Sequence, residues 1–269
     1  MIIVGGGTYW EQCSHPQWSA FFGSAGRAAA AVSKIGEQVR LATFGEGRKL
    51  DYLKALGNDY RFELGPIAPG PRILFKYDNP IGAPRVFPAR HLLTNNNVVL
   101  AEGDVVLRFG AVEGTVVAKG KRVVYDPQDI DAPEPFSANG SVAETLAIVC
   151  NLAEGRALTR KENPDEVAQE LLAQGASVVV LKLGSAGALV MDESSKALVP
   201  VYRTETVFSI GSGDVFSAAF ALFWGKEGLG ASEAANKASR FAAYYCGTME
   251  LAASEQDVDT VESRAKLSH

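Results

Sequence analysis

Short apolar runs that stop at glycine recur along the chain, separated by stretches of helical spacing. Ile2-Ile3-Val4 stops at Gly5-Gly6-Gly7, Val39 to Phe44 at Gly45, Asp104 to Phe109 at Gly110, and Ser177 to Leu183 at Gly184. Arg122 to Tyr125 ends in Asp126-Pro127-Gln128, and Thr145 to Cys150 runs into Asn151. Such runs bounded by turn residues are buried strands, and near-continuous hydrophobicity marks strands covered on both faces. Gly23 to Gly36 reads as a glycine-rich turn opening an Ala-rich helix with a C-cap glycine, and Asp51 to Gly57 as a second capped helix. Pro164 to Gln174 carries Val167, Leu171 and Leu172 on one side and Asp165, Glu166 and Glu170 on the other, and Ala231 to Tyr245 is apolar-periodic. Strands alternating with helices predict an α/β fold, a mostly parallel sheet with helices on both faces.

Between Tyr60 and Ala89 that rhythm breaks. Pro66, Pro69, Pro71, Pro80, Pro84 and Pro88 separate short alternating pieces such as Arg72 to Tyr77, which is β-ribbon and turn chemistry. The expectation is one domain over 1–269 with a small β-rich insertion at about 60–90. The tail from Ser254 to His269 is polar and reads as a surface helix or a fraying end.

Composition narrows the partners. A chain of 269 residues is ample for a hydrophobic core, and a formal net charge of −5 with no basic run argues against a nucleic-acid footprint. Small molecules are the expected partners. Cys13, Cys150 and Cys246 are widely spaced without a Cys-x-x-Cys, so they read as reduced core thiols, and His15, His91 and His269 share no metal-ligand spacing. No apolar run reaches membrane-spanning length and no signal-peptide pattern stands at the start, which makes the cytoplasm the expected compartment. Gly5-Gly6-Gly7 lacks a third spaced glycine and a following helix pattern, so a nicotinamide-dependent oxidoreductase has little support.

The chemistry concentrates in Val207-Phe208-Ser209-Ile210-Gly211-Ser212-Gly213-Asp214, which passes straight into an apolar helix pattern. At a helix N-terminus the first N–H groups lack partners and the dipole is positive, so Gly211, Ser212 and Gly213 can bring amides close to an anion. A carboxylate there is badly placed to bind an anion. Asp214 is well placed to take a proton from a hydroxyl attacking a phosphoryl group held by the same amides. The plainer alternative is an N-cap in which Asp214 only stabilises the dipole.

Gly211-Ser212-Gly213-Asp214 followed by Ala218-Ala219-Phe220 resembles the Gly-Ala-Gly-Asp loop of the ribokinase-like (PfkB) carbohydrate and nucleoside kinases, in which the Asp is the general base and the loop the anion hole. The resemblance extends along the chain in family order. Gly23 to Gly36 is similar to the loop that lies against the acceptor sugar, which implies acceptor roles for Gly26 and Arg27, with Ala28 where the family has Asn. Glu11 is the nearest acidic candidate for the residue that meets the sugar hydroxyls. Beside Arg27 the resemblance leaves room for an acceptor carrying a carboxylate, phosphate or base; the plainer readings are a helix-surface Arg27 and a solvated Glu11.

Asn151-Leu152-Ala153-Glu154 resembles the family's Asn-x-x-Glu element, which implies Mg²⁺ near Asn151 and Glu154; by itself that spacing is a helix-capping pattern. Lys182-Leu183-Gly184 with Gly187 resembles the turn whose backbone approaches ATP, implying donor-site roles for Lys182, Gly184 and Gly187, against an ordinary β-turn. The insertion resembles the family's lid, which covers the acceptor and often makes a homodimer. Phe208-Ser209 stands where the family has Asp-Thr, which bears on a monovalent cation. Taken together, the resemblance implies an ATP- and Mg²⁺-dependent kinase acting on a hydroxyl of a sugar, nucleoside or related compound. The competing reading, prompted by Phe208 and Ala28, is a non-catalytic binding or regulatory protein on the same fold.

Overall fold

The computed structural model describes residues 1–93 and 96–259, so most of the polar tail lies outside the described residues. In chain order the elements are β1 (Ile2–Gly5), β2 (Trp10–Cys13), β3 (Trp18–Phe21), α1 (Gly23–Lys34), β4 (Val39–Phe44), α2 (Lys49–Tyr60), β5 (Glu63–Ala68), β6 (Leu74–Tyr77) and β7 (Arg85–Phe87). There follow β8 (Val98–Phe109), β9 (Thr115–Asp126), β10 (Val142–Asn151), α3 (Leu152–Thr159), α4 (Pro164–Ala173), β11 (Val178–Lys182), β12 (Ala188–Asp192) and β13 (Lys196–Val199). The last are α5 (Ser212–Phe220), a π-helical turn (Ala221–Lys226) and α6 (Ala231–Thr248).

Nine strands form one sheet in the order β13-β12-β11-β10-β9-β8-β1-β4-β5, parallel from β5 to β11 and antiparallel through the β12–β13 hairpin. Parallel pairing lines up Gly5, Phe44, Phe109, Asp126, Asn151 and Lys182 at one edge, where ligands of open α/β sheets bind. One face is covered by α1, α2, α5, the π-turn and α6, whose Ala28, Leu53, Phe220, Phe223 and Phe241 pack on Ile2, Val4, Leu107 and Val149. Helices also cover the other face, through Val167, Ala168 and Leu171 of α4. The expected α/β architecture is therefore present. Among the described residues no helix is long and apolar enough to cross a membrane.

The second face has an unexpected cover. Residues Val98 to Phe109 pair in parallel with Thr115 to Asp126 in continuous register, yet only Gly110 to Gly114 joins the two strands. A straight strand of that length is about 40 Å long and the link spans at most about 20 Å, so both strands must double back. They do so at Gly103 and Gly120. Gly5 pairs with Arg108 near the far end of β8, but a Cβ on Gly5 would stand 2.8 Å from Ala101, and one on Gly120 would stand 2.8 Å from the Gly103 carbonyl. The returning limbs lay Val99, Ala101, Val116 and Ala118 over Ile3, Val106 and Val123, doing there what helices do elsewhere.

The small second sheet has the order β3-β2-β6-β7. The expected insertion at 60–90 needs correcting at both ends: β5 joins the large sheet through β4, while β2 and β3 from the N-terminal segment join the small one. The proline-based reading missed this because β2 is too short and mixed to announce itself. A second correction concerns α2, which runs through Gly57 and is capped by Arg61 in the left-handed region. Gly57 is small because the Phe62 backbone passes close by.

Candidate active site

Helix α5 opens at the sheet edge with Gly211 as N-cap at φ +81°. A Cβ there would overlap the Arg27 guanidinium, so glycine is required twice, for the backbone angle and for the close approach. The amides of Gly211, Gly213 and Asp214 meet no protein acceptor among the described residues and form a nest of unpartnered donors. Ser212 departs from expectation: its amide donates to Ser209 O at 3.1 Å and its hydroxyl to the same carbonyl at 2.9 Å, so it closes the turn rather than facing a ligand. The Ser209 hydroxyl in turn donates to the Pro80 carbonyl in the β6–β7 turn, tying the nest to the small sheet.

Asp214 is 6% exposed, and both of its oxygens are engaged. Oδ2 accepts from Arg27 Nη1 at 2.8 Å and Oδ1 from Gln128 Nε2 at 3.1 Å. Arg27 and Glu11, at 1% and 2% exposure, are buried, which excludes the surface readings of both. Arg27 Nη2 donates to Glu11 Oε2 at 2.5 Å and Nη1 to Glu11 Oε1 at 3.3 Å, with the guanidinium against the Phe22 and Tyr245 rings. Burial raises the carboxyls of Asp214 and Glu11 above their ordinary range, and Arg27 opposes the rise in both. Burial works against the charge of Arg27, but Glu11, Tyr245 and Asp214 outweigh it and hold the guanidinium firmly protonated. Because two carboxylates already surround it, Arg27 has no spare charge to select an anionic acceptor. Gly26 lies on α1 one turn-face away, against Thr8 and Leu56.

In the sequence Gln128 closes a strand at Asp126-Pro127-Gln128, a mild variant of the Asp-Pro-Asn that the resembled family often carries there, with no role attached. It adopts the left-handed region at φ +58°, unusual for a side chain of its size, and bridges the site: Oε1 accepts from the Ser24 hydroxyl at 2.6 Å while Nε2 donates to Asp214 Oδ1. Ser24 also pairs with the Tyr9 hydroxyl at 2.9 Å.

On the other side of the nest lies Asp126, fully buried at the end of β9. Its Oδ2 accepts from Lys182 Nζ at 2.9 Å and from the Ser217 hydroxyl at 2.7 Å, and its Oδ1 has no partner among the described residues. Lys182 Nζ stands 3.5 Å from where a Gly213 Cβ would be, so a cation sits at the foot of the nest. Asn151 and Glu154 form a full capping box at the start of α3: Asn151 Oδ1 accepts from the Glu154 amide and Glu154 Oε2 from the Asn151 amide, each at 2.9 Å. The capping role is thus real for both, and it leaves one lone pair of Asn151 Oδ1 and the Glu154 Oε1 outside the box. Burial, together with the nearby Asp126 charge, pushes the Glu154 carboxyl up to about 7.

Two buried carboxylates that repel each other, one with an orphan oxygen, suit a divalent cation that keeps most of its waters. Among the described residues no three carboxylate, imidazole or thiolate groups converge as a closed cage.

Gly184 (φ +60°) opens onto free space, as a backbone approached by a ligand requires, whereas Gly187 (φ +91°) is glycine because the Val199 carbonyl leaves no room for a Cβ. Phe208 is buried against Trp18 and Tyr245, with ring centroids at 5.1 and 6.3 Å. The position that bears on a monovalent cation therefore holds an aromatic ring and offers no carboxylate. Asp126 and Gln128 stand out in the sequence as a variant of the Asp-Pro-Asn that the resembled family often carries after this strand, but without a role, and Ser217, one turn into α5, gives no signal.

The large, mostly parallel sheet, its covering helices and the small second sheet define a ribokinase-like fold, with the amides and the carboxylate that open α5 at the sheet edge. Residues 117–257 match the model of the pfkB family carbohydrate kinases, and the chain belongs to that family. No curated protein matches the sequence. Among solved structures, ribokinase from Thermotoga maritima is similar at 21% identity and TM-score 0.66, over 98% of this chain and 99% of that one. Arabidopsis thaliana ribokinase complexed with ribose and ATP gives 15% and 0.69 over 97% of each chain. A pyrophosphate-dependent kinase in the ribokinase family, complexed with a pyrophosphate analog and myo-inositol, gives 16% and 0.66 over 96% of this chain and 99% of that one. At these identities the likeness is one of fold.

Proposed function

We propose that this chain transfers the γ-phosphoryl group of ATP to a hydroxyl of a sugar, nucleoside or related small molecule. The observation that carries the reading is the shared corner at the start of α5, where a buried carboxylate stands beside three amides that have no protein partner among the described residues. The acceptor hydroxyl gives its proton to Asp214 as its oxygen bonds to the γ-phosphorus; the bond from that phosphorus to the bridging oxygen breaks and ADP leaves. The amides of Gly211, Gly213 and Asp214 steady the equatorial oxygens, and Lys182 adds charge beneath them. Glu154 and Asp126 would hold Mg²⁺ largely through its waters. When bound, the ion neutralises charge on the donor phosphates.

The small sheet covers the acceptor side in this reading, since Glu11 of β2 reaches Arg27 and the Pro80 carbonyl reaches Ser209. It also offers exposed Ile81 and Phe87 for a homodimer, which light scattering would detect. A cytoplasmic enzyme fits the reduced cysteines, none of which is in a disulfide among the described residues. The test is ADP release across a panel of sugars, polyols and nucleosides, with pyrophosphate as an alternative donor because a structural neighbour uses it. One observation favours the competing reading of a binding protein: both oxygens of Asp214 already have donors. Calorimetric binding of a panel member with no ADP formed, and no phosphate from pyrophosphate, would favour it.

A further inference from the structure

Arg27 is shared between two carboxylates that belong to different parts of the molecule. Glu11 lies on β2 of the small sheet and Asp214 on the first turn of α5 at the edge of the large one. The guanidinium makes its short bonds of 2.5 and 2.8 Å to one oxygen of each, and its Nε has no protein partner among the described residues. One positive and two negative formal charges are thus enclosed, so a gain of the cation by one carboxylate is a loss to the other. The other groups facing Asp214 are Asp126 at the end of β9 and Lys182 at the end of β11. Tyr9, Tyr77 of β6 and Tyr245 of α6 also face it, and burial keeps all three neutral.

Resting on the reading of Asp214 as the base, we propose that Arg27 is a positioning residue that couples the small sheet to the base. While Glu11 shares the guanidinium, Asp214 retains the basicity to take the acceptor's proton. When the small sheet carries Glu11 away, Arg27 passes to Asp214 alone and holds it as a weak base, so that an open pocket does not deprotonate water.

The test compares Glu11→Gln and Arg27→Met, reading the acid limb of kcat/KM and the titration of the Asp214 carboxyl in ¹³C-aspartate-labelled protein, with Asp214→Asn to assign the signal. Glu11→Gln removes a negative neighbour and should move both readouts to lower pH by about half a unit or more, while Arg27→Met should move them to higher pH by about one unit or more. Shifts in the same direction, or no shift in variants whose melting shows them folded, overturn the proposal. Should Arg27→Met not fold, Glu11→Gln decides alone, and Arg27→Lys should stay within about half a unit of the parent because it keeps the charge; a larger displacement there counts against the proposal. The NMR titration needs no turnover, so a chain that never forms ADP sinks the kinase reading while the coupling is still decided.

Discussion

Gly211 and Arg27 are in contact face to face: the guanidinium occupies the space that any side chain at position 211 would need. Replacing Gly211 with Ala therefore combines left-handed strain at φ +81° with a clash against a buried charge that is already tied to Glu11 and Asp214. The expected cost is on the order of 2–4 kcal/mol, read as a lowered urea midpoint. Turnover should fall with it if the unpartnered amides that Gly211 begins hold the phosphoryl group as proposed.

Asp214→Asn should lower kcat by about 10²–10⁴ while leaving the fold intact. The asparagine keeps an oxygen for Arg27, and the charge removed was one that burial already disfavoured. Far-ultraviolet circular dichroism alongside single-turnover kinetics separates the two effects. Full retention of turnover would remove Asp214 from the mechanism.

Glu154 gives a pH dependence with a definite sign. A carboxyl pushed up to about 7 in the folded chain binds its proton more tightly folded than unfolded, so it favours folding at low pH, and that contribution is lost as pH rises from about 4.5 through 7. Glu154→Gln keeps an acceptor for the Asn151 amide and has no charge to desolvate. Its Tm should exceed the parent's at pH 8 and approach or fall below it at pH 5. Added Mg²⁺ should raise the parent's Tm at pH 8 and leave the variant's nearly unchanged.

Among the described residues, Lys182 is the only charged partner of the fully buried Asp126, which otherwise holds just the Ser217 hydroxyl. Lys182→Met strands that carboxylate and should cost about 3–5 kcal/mol, much of it recovered in the double variant with Asp126→Asn. Denaturant melts of the two singles and the double measure the coupling. If Lys182 also serves the donor phosphates, the double variant should regain stability without regaining donor KM.

The large sheet was legible because buried parallel strands are written in unbroken apolar runs, as in Val178 to Leu181, and because glycine closes them. The nest was legible for a similar local reason: Gly211 to Asp214 are adjacent in sequence, and one helix start positions them all. What sequence hid was everything that depends on distant partners. The resemblance gave Arg27 and Glu11 acceptor roles, with surface positions as the plainer alternative, and their ion pair was hidden because neither shows in its own neighbourhood that the other, and Asp214 far along the chain, would bury it. Asp126 and Gln128 stood out as a strand-ending Asp-Pro-Gln, but their partners Ser217, Lys182 and Asp214 did not, since a hydrogen bond across the sheet edge leaves no local pattern. The doubled β8 and β9 escaped for another reason: their outer limbs alternate like ordinary strands, and nothing short of register distinguishes a bend at Gly103 from a glycine inside a straight run.

That doubling binds two places in the gene to each other. Outward on the returning limb of β8 are Val98 and Leu100, inward Val99 and Ala101. A single residue added before Gly103 would exchange the two sets and leave the neighbouring limb out of step, unless the same change were made before Gly120. Length variation here is expected to arise in matched pairs, and the spacing between the two hinges should stay constant wherever this doubled arrangement is kept.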